Sequence, residues 1–408
     1  MSAQQTHNVV IVGGNFGGVN LAHYLLQQSF PALKKLDPTT SHRVTLVTPN
    51  DHFFFKIASP RALINPTLIP DDKIFRSISE AFKDYDKETF TFLQGKATCV
   101  RPEDKSITIA SASDPQREIK YDSLVIATGT TSTSPLWTLH DNHEQSRTTL
   151  KALHSTLPKA STVLIAGAGP VGVETAGEIA SAYPDAKITL ITPGERVLPR
   201  VKPSISAEAK QALEDLGVTL RLNTGLAEVT ADIDIRPIQL SDGSSKNPDV
   251  FINATGPRTM NTAWLPSDWL DSESRVRTSD PYFRVKGNTK TKGVYVIGDV
   301  VSGTNKTAIE IDAMVPTVAS SIAADIAQGK VQSTGGLMAW LNPFGKASNL
   351  VQREYKPMKD TIIVPIGPSG GVGQVFGWGM PSFMVRKGKA ESFLMELVEP
   401  LVTGKKWV

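Results

Sequence analysis

Gly167, Gly169 and Gly172 follow an apolar run, Val163 to Ala166, and open a stretch, Pro170 onward, that reads as a helix through Ala182. A Gly-x-Gly-x-x-Gly turn in that context receives the pyrophosphate of a dinucleotide. Its first glycine permits the tight turn, its second lets backbone approach the phosphates, and its third lets helix and strand pack closely, with the helix N-terminus facing the anion. A modified copy stands near the N-terminus as Gly13-Gly14-Asn15-Phe16-Gly17-Gly18, after Val9 to Val12. Gly13 and Gly18 keep their roles. Asn15 holds the middle position, where it tolerates the turn but brings a side chain toward the phosphates. The acid that such sites offer to ribose hydroxyls is missing twice, since Thr48 and Thr192 occupy the ends of the second strands. Without an acid in the second unit a 2′-phosphate meets no repulsion, and Arg196 lies four residues on, so the loop admits NADPH as well as NADH. Arg196 is equally readable as a solvated loop cation.

The elements that must carry these residues come in a repeated order. Val9–Val12, a helix over Val19–Gln28 and the strand Val44–Thr48 make one strand-helix-strand unit; Val163–Ala166, its helix and Ile188–Thr192 make another. Each is echoed later by an apolar strand ending in Ala-Thr-Gly, at Leu124–Gly129 and Val250–Gly256. Val100–Tyr121 and Val218–Val250 read as antiparallel inserts. Gly293-Val294-Tyr295-Val296-Ile297-Gly298-Asp299 is one more buried strand, followed by a helix over Ala308–Gln328, and the tail beyond Gly329 is rich in Gly, Pro and aromatics. The fold class is α/β, with two Rossmann-like nucleotide-binding domains and a small α+β module.

With the paired glycine turns, the paired Ala-Thr-Gly strands, Val294–Asp299 and the tail Val372–Gly377 through Met384-Val385-Arg386, the chain resembles the apoptosis-inducing-factor-like flavoproteins. Within them it is similar to the ferroptosis-suppressor and mitochondrion-associated-inducer-of-death group and its fungal members, relatives of the type II NADH:quinone oxidoreductases. The resemblance implies a discontinuous FAD domain over 1–135 and 257–330, an inserted NAD(P)H domain over 136–256, and a C-terminal module over 331–408 covering the flavin. It implies that Gly13, Asn15, Phe16, Gly17 and Gly18 meet the FAD pyrophosphate, that the Ala97 backbone meets adenine, and that Thr128 and Gly129 line the diphosphate side. Gly256 is their counterpart in the second site. Asp299 matches the acid that accepts from the ribityl chain, Arg61 an arginine near flavin or phosphate, and Lys306 and Lys389 two lysines near the flavin. Glu174 matches a glutamate set between nicotinamide and flavin; a first-turn carboxylate stabilised by the helix dipole is the plainer reading. Glu310, Asp312 and Met314 depart from the more neutral segment expected at a quinone pocket, the helical spacing putting the two acids on different faces.

The remaining composition narrows the chemistry. The 408 residues carry a net charge of +3 without a basic stripe, so nucleic acid is not an expected partner. The single cysteine, Cys99, excludes a dithiol relay and a thiolate zinc site, and the most clustered histidines, His140 and His143, fall in a polar loop, so no metal is expected. The N-terminus has no secretory pattern and Ser2 stands where myristoylation needs glycine, which reads as cytoplasmic. The uncharged stretch Thr361–Val385 holds six glycines and three prolines and does not read as a membrane span. Phe53-Phe54-Phe55 reads as core or as the wall of a flavin channel. The tail residues Phe393, Leu394, Met395, Leu397, Val398, Leu401 and Val402 beside Lys405 and Lys406 read equally as core or as a peripheral membrane dock. The expectation is a monomeric or homodimeric FAD-dependent enzyme that takes hydride from NADH or NADPH and passes electrons to a hydrophobic acceptor, a quinone foremost. A tailoring enzyme acting on another apolar small molecule, a redox-sensing signalling protein, and a colourless apo-protein in which Asn15 and Thr48 weaken FAD binding stand as its rivals.

Overall fold

The computed structural model describes residues 6–408 except 141, 229–236, 306, 332–349 and 359. Lys306 therefore lies outside the described residues.

The strand Thr6–Val12 is fully buried from Val9 on and pairs in parallel with Ser41–Thr48 on one side and Ser123–Ile126 on the other. Phe90–Gln94 and Val294–Val296 complete a five-stranded parallel sheet. A second parallel sheet places Thr162–Ala166 between Lys187–Ile191 and Val250–Asn253, with Thr219–Arg221 at the edge. Continuous Val, Ile and Leu runs suit strands covered on both faces. The chain leaves the first sheet after Ser123–Ile126, builds the second, and returns to the first at Val294–Val296.

The first helix runs Phe16–Tyr24, then passes through a π turn at Leu25–Ser29 into Phe30–Leu36, so it is longer and less regular than its apolar spacing predicts. The insert over Val100–Tyr121 is antiparallel as expected, built from Lys96–Arg101, Ser106–Ala110 and Arg117–Lys120. The long helix Ala308–Val331 continues through Pro316.

The tail forms an antiparallel sheet of Ile362–Pro365, Gly371–Val375 and Trp378–Gly379, followed by short helical segments up to Val398–Thr403. It docks on the helix Pro170–Ala182 where Gly177 has no side chain: a Cβ there would lie 2.6 Å from the Gly367 nitrogen. Phe393, Val398, Leu401 and Val402 are buried, so these tail residues are core and do not form a membrane-facing strip. His23 locks the end of the tail, its Nε2 2.7 Å from the Val402 carbonyl oxygen and its ring stacked 4.0 Å from Phe82. Apolar exposure falls elsewhere, on Phe376, Trp378, Phe383 and Met384. Among the described residues no helix is long and apolar enough to cross a membrane.

Candidate functional site

The two glycine turns share one geometry. Gly13 has φ +121°, and a Cβ on it would lie 2.1 Å from the Ala127 carbonyl oxygen; Gly167 has φ +106°, and its Cβ would lie 2.4 Å from the Ala254 oxygen. A Cβ on Gly18 would meet the Gly13 oxygen at 1.8 Å, and one on Gly172 the Gly167 oxygen at 1.8 Å. The first and third glycines thus serve the protein's own packing, strand against turn and turn against helix. The middle position serves whatever binds: a Cβ on Gly169 meets nothing within 4 Å. Gly169 caps the helix that begins at Pro170, so free backbone N–H groups face that open space. Gly129 and Gly256, both with positive φ, likewise border open space beside their turns. These are cradles of the shape and polarity that a pyrophosphate needs.

Asn15 fits its place for a local reason. Its Oδ1 accepts a hydrogen bond from the Phe54 N–H at 3.4 Å, which draws the side chain sideways to the neighbouring strand. Phe16 turns its ring into the core, 5.0 Å from Phe53 and 5.7 Å from Phe55, leaving its backbone at the turn. Phe53, Phe54 and Phe55 are all fully buried, so they are core and not an open channel wall. Thr48 is buried with its methyl facing Gly14, where a Cβ would come within 2.5 Å. The Thr128 hydroxyl donates to the Asn261 oxygen at 2.7 Å, and Asn261 Nδ2 returns a bond to the Thr128 oxygen at 3.0 Å. Ala97 lies on the strand Lys96–Arg101, next to Gly95, whose N–H reaches the Thr48 oxygen at 2.9 Å. Asp299 is half-buried and 3.3 Å from Lys56 Nζ. Arg196 bonds the Pro199 oxygen at 2.7 Å in its own loop.

The helix after the second turn carries the densest electrostatics. Glu174 is its fifth residue, beyond the first turn, so its partner and not the helix dipole sets its state. It is 3% exposed, with Lys389 Nζ 2.5 Å from Oε1. Burial raises the Glu174 carboxyl above its ordinary range, with Lys389 opposing and Glu178 reinforcing the rise. One turn on, Glu178 accepts from Arg61 Nε at 2.7 Å and from Nη2 at 2.8 Å. Arg61 also donates to the Glu391 oxygen at 3.0 Å and covers the Phe393 ring at 4.6 Å, with Lys389 over the same ring at 5.8 Å. The sequence singles out Glu174, Arg61 and Lys389 separately; the structure gathers them into one buried cluster. Glu178 is the member that sequence reasoning misses, Phe393 being read there as core or membrane dock, though Glu174 and Glu178 stand four apart, a spacing that puts both on one helix face.

At the segment expected to line an acceptor pocket, Glu310 points inward and Asp312 outward. Glu310 is 1% exposed and accepts from the Asn305 N–H at 3.0 Å, Asn305 Nδ2 at 2.9 Å and the Tyr355 hydroxyl at 2.7 Å. Burial and the Glu310 charge push the Tyr355 hydroxyl pKa up. Asp312 is paired with Lys406, and Met314 is core. A further group is not foreshadowed by the sequence: Asp51, His52 and His143 converge, the two imidazoles 3.7 Å apart. Sequence distance hides that meeting, since His143 reads as part of a polar loop near His140.

Residues 7–320 match the family described as pyridine nucleotide-disulphide oxidoreductase. The chain is similar to oxidoreductase phnG of Penicillium herquei, 31% identical over 100% of this chain and 98% of the relative. It is also similar to ferroptosis suppressor protein 1 of Homo sapiens, 25% identical over 95% of this chain and 94% of the relative. Among solved structures it resembles NDH2 from Plasmodium falciparum in complex with NADH, with a TM-score of 0.66 at 15% identity over 98% of each chain, a likeness of fold.

Proposed function

The chain belongs to the pyridine nucleotide-disulphide oxidoreductase family and is an FAD-dependent NAD(P)H oxidoreductase, and we propose that its electrons pass to a quinone. FAD, when bound, supplies the acceptor for a hydride and the means of handing electrons onward. The observation that carries this reading is the doubled glycine cradle in a chain with a single cysteine, Cys99, which stands exposed. Two dinucleotides are held, and no dithiol pair stands between them and the acceptor.

In this reading residues 1–135 and 257–330 form the FAD-binding domain. Gly13, Asn15, Phe16, Gly17 and Gly18 offer backbone to its pyrophosphate, with Ala97 at adenine, Thr128 and Gly129 along the diphosphate and Asp299 at the ribityl chain. Residues 136–256 hold the nicotinamide nucleotide through Gly167, Gly169, Pro170, Gly172 and Gly256, with Arg196 placed to meet a 2′-phosphate. Residues 331–408 form the covering module, and Lys306 is assigned near the flavin by family resemblance. Glu174, assigned by resemblance between nicotinamide and flavin, is held by Lys389 on the helix that follows the second glycine turn; burial raises its carboxyl above the ordinary range while Lys389 opposes the rise. Arg61, assigned near flavin or phosphate by resemblance, also ties Glu178 to the Glu391 backbone and the Phe393 ring of the tail. Quinone as acceptor is supported by the similarity to ferroptosis suppressor protein 1 and by the fold shared with NDH2.

A second reading replaces the quinone by another apolar small molecule. It is favoured by Glu310, an acid buried and hydrogen-bonded at the acceptor segment, and by the higher identity to the fungal oxidoreductase. The test is anaerobic mixing of the FAD-loaded protein with NADH or NADPH, followed by a short-chain quinone. Bleaching of the flavin band and rapid recovery on quinone addition are expected; bleaching without recovery refutes the quinone and leaves the second reading.

A further inference from the structure

We infer that Asp51, His52 and His143 form a binding site for a divalent cation of the zinc class, joining the segment that follows the strand Ser41–Thr48 to the helix that leads into the second sheet. Asp51 and His52 follow the strand Ser41–Thr48, and His143 is the first residue of the helix His143–Thr156. A ligand atom from each lies within 4.8 Å of the other two, two imidazole nitrogens and one carboxylate oxygen. That donor set suits zinc and its borderline neighbours better than the oxygen-seeking magnesium or calcium.

The group is hydrogen-bonded in part, since His52 Nδ1 donates to Asp51 Oδ1 at 2.7 Å, a proton that an entering ion displaces; the protonation pattern at His143 is different. His143 Nε2 lies 3.0 Å from Glu144 Oε1, so the ring proton belongs on Nε2, and Nδ1 presents a lone pair. That Nδ1 is buried without a hydrogen-bond partner, although Asp51 Oδ1 lies only 3.3 Å away. Two lone-pair atoms thus face each other across a short gap. A hydrogen bond would need the bridging hydrogen on the line between them, and the ring geometry does not provide it. A tetrahedral ion needs something different. Ligands held about 2.05 Å from a metal at about 109° sit roughly 3.3 Å apart, with the metal about 35° off their connecting line. The observed separation of 3.3 Å is that spacing.

The surroundings fit a structural site open to water. Side-chain exposure is 24% at His52 and 46% at Asp51, so an ion can enter and keep a water as its fourth ligand. Glu144 orients His143 from behind, in the manner of the carboxylates that fix metal-bound imidazoles. Arg147, the nearest cation on the same helix, is engaged by Glu144 at 2.9 Å and faces Asp71 at 3.6 Å. The two segments already touch nearby, Asn50 Nδ2 donating to the His140 oxygen at 2.8 Å. The ion would add a cross-link between chain positions far apart in sequence, and chelation would loosen it.

The test uses tag-free, FAD-loaded, metal-stripped protein titrated with Co²⁺ and then Zn²⁺. About one Co²⁺ per chain is expected, with the intense visible bands of a four- or five-coordinate ion, displaced by stoichiometric Zn²⁺. The double variant His52→Ala with His143→Ala should bind at least about tenfold more weakly, and Zn²⁺ should raise the Tm of the parent but not of the variant. X-ray absorption of the Zn²⁺-loaded parent gives a readout that does not depend on the variant folding, and two imidazoles in the inner shell are expected. Lack of saturable Co²⁺ binding below ~100 µM, equal binding by the double variant, or a shell with fewer than two imidazoles would overturn the assignment.

Discussion

Lys389→Met removes the ammonium that stands 2.5 Å from a carboxylate only 3% exposed. Cutting one partner out of a buried pair costs about 3–5 kcal/mol, because the other is left as an uncompensated charge. Glu174 limits that loss by taking up a proton, at a cost fixed by pH. With an ordinary carboxyl pKa near 4.3 and about 1.36 kcal/mol per pH unit, protonation costs at most about 3.7 kcal/mol at about pH 7 and about 1.6 at about pH 5.5. The sign follows from the direction of the shift. Burial already holds the folded pKa of Glu174 above its unfolded value, and loss of Lys389, which opposes that rise, sends it higher. A carboxyl raised in the folded state costs nothing below its unfolded pKa and progressively more as pH climbs toward the folded one. The stability gap between parent and variant should therefore be small at about pH 5.5 and larger at about pH 7. Urea unfolding of FAD-loaded protein, followed by tryptophan fluorescence, measures the gap. Other titrating groups are common to both proteins and drop out of the difference. Adding Glu174→Gln to Lys389→Met should flatten the pH dependence, since a neutral amide has no charge to compensate. A gap that is constant across this range, or a slope that survives Glu174→Gln, would refute the reasoning.

The neighbouring pair should behave alike: Arg61→Met should destabilise by about 3–5 kcal/mol in the same urea experiment, and the double change with Glu178→Leu should recover most of it. Gly169→Ala should leave Tm and FAD content unchanged while raising KM for NAD(P)H by about tenfold or more, whereas Gly167→Ala, with positive φ and a 2.4 Å clash, should fail to accumulate as folded protein. His23 is lowered to about 4 by burial, so the folded protein resists protonating it. Stability should fall between about pH 6.5 and about pH 4, by up to roughly 3 kcal/mol from this residue, and His23→Gln should reduce that acid sensitivity under urea. Arg196→Ala should lower kcat/KM for NADPH severalfold and leave that for NADH unchanged; equal loss for both would remove the 2′-phosphate role.

Much of the frame is legible because its signals are local. A β-branched run, a glycine turn and an apolar helix face each lie within a few residues, and the same order appears twice, so both parallel sheets and both cradles can be read from the order of residues alone. The π turn at Leu25–Ser29 is not legible, since nothing in Leu-Leu-Gln-Gln-Ser marks a change of helical pitch. The tail stays open between two readings for a related reason. Only the neighbours its apolar residues meet, such as His23 against Val402, decide that Phe393, Val398, Leu401 and Val402 are core. The clusters are least legible of all. Arg61 meets Glu178, Lys389 meets Glu174, and His52 meets His143 across long stretches of chain, and no periodicity encodes a contact between residues from different elements.

The placement of the two buried ion pairs bears on why charge is used there at all. Both carboxylates sit on one face of the helix that follows the second glycine cradle, and both cations come from outside it, Arg61 from Ser59–Ala62 beside the first sheet and Lys389 from the tail. Apolar side chains in these positions would bind the three segments at least as tightly, since desolvating four charges offsets most of what their pairing gains. What they would lose is direction. A bidentate arginine and an ammonium held within 2.5 Å accept one relative position of their partners, while an apolar seam tolerates sliding. Hydride transfer depends on the separation and alignment of two rings, and a misplacement of about 1 Å can cost two orders of magnitude in rate. Replacing Arg61 and Glu178 together by apolar residues should therefore keep the protein folded yet slow flavin reduction by NAD(P)H, separating stability from alignment in one variant; unchanged reduction kinetics would show that the pair serves packing alone.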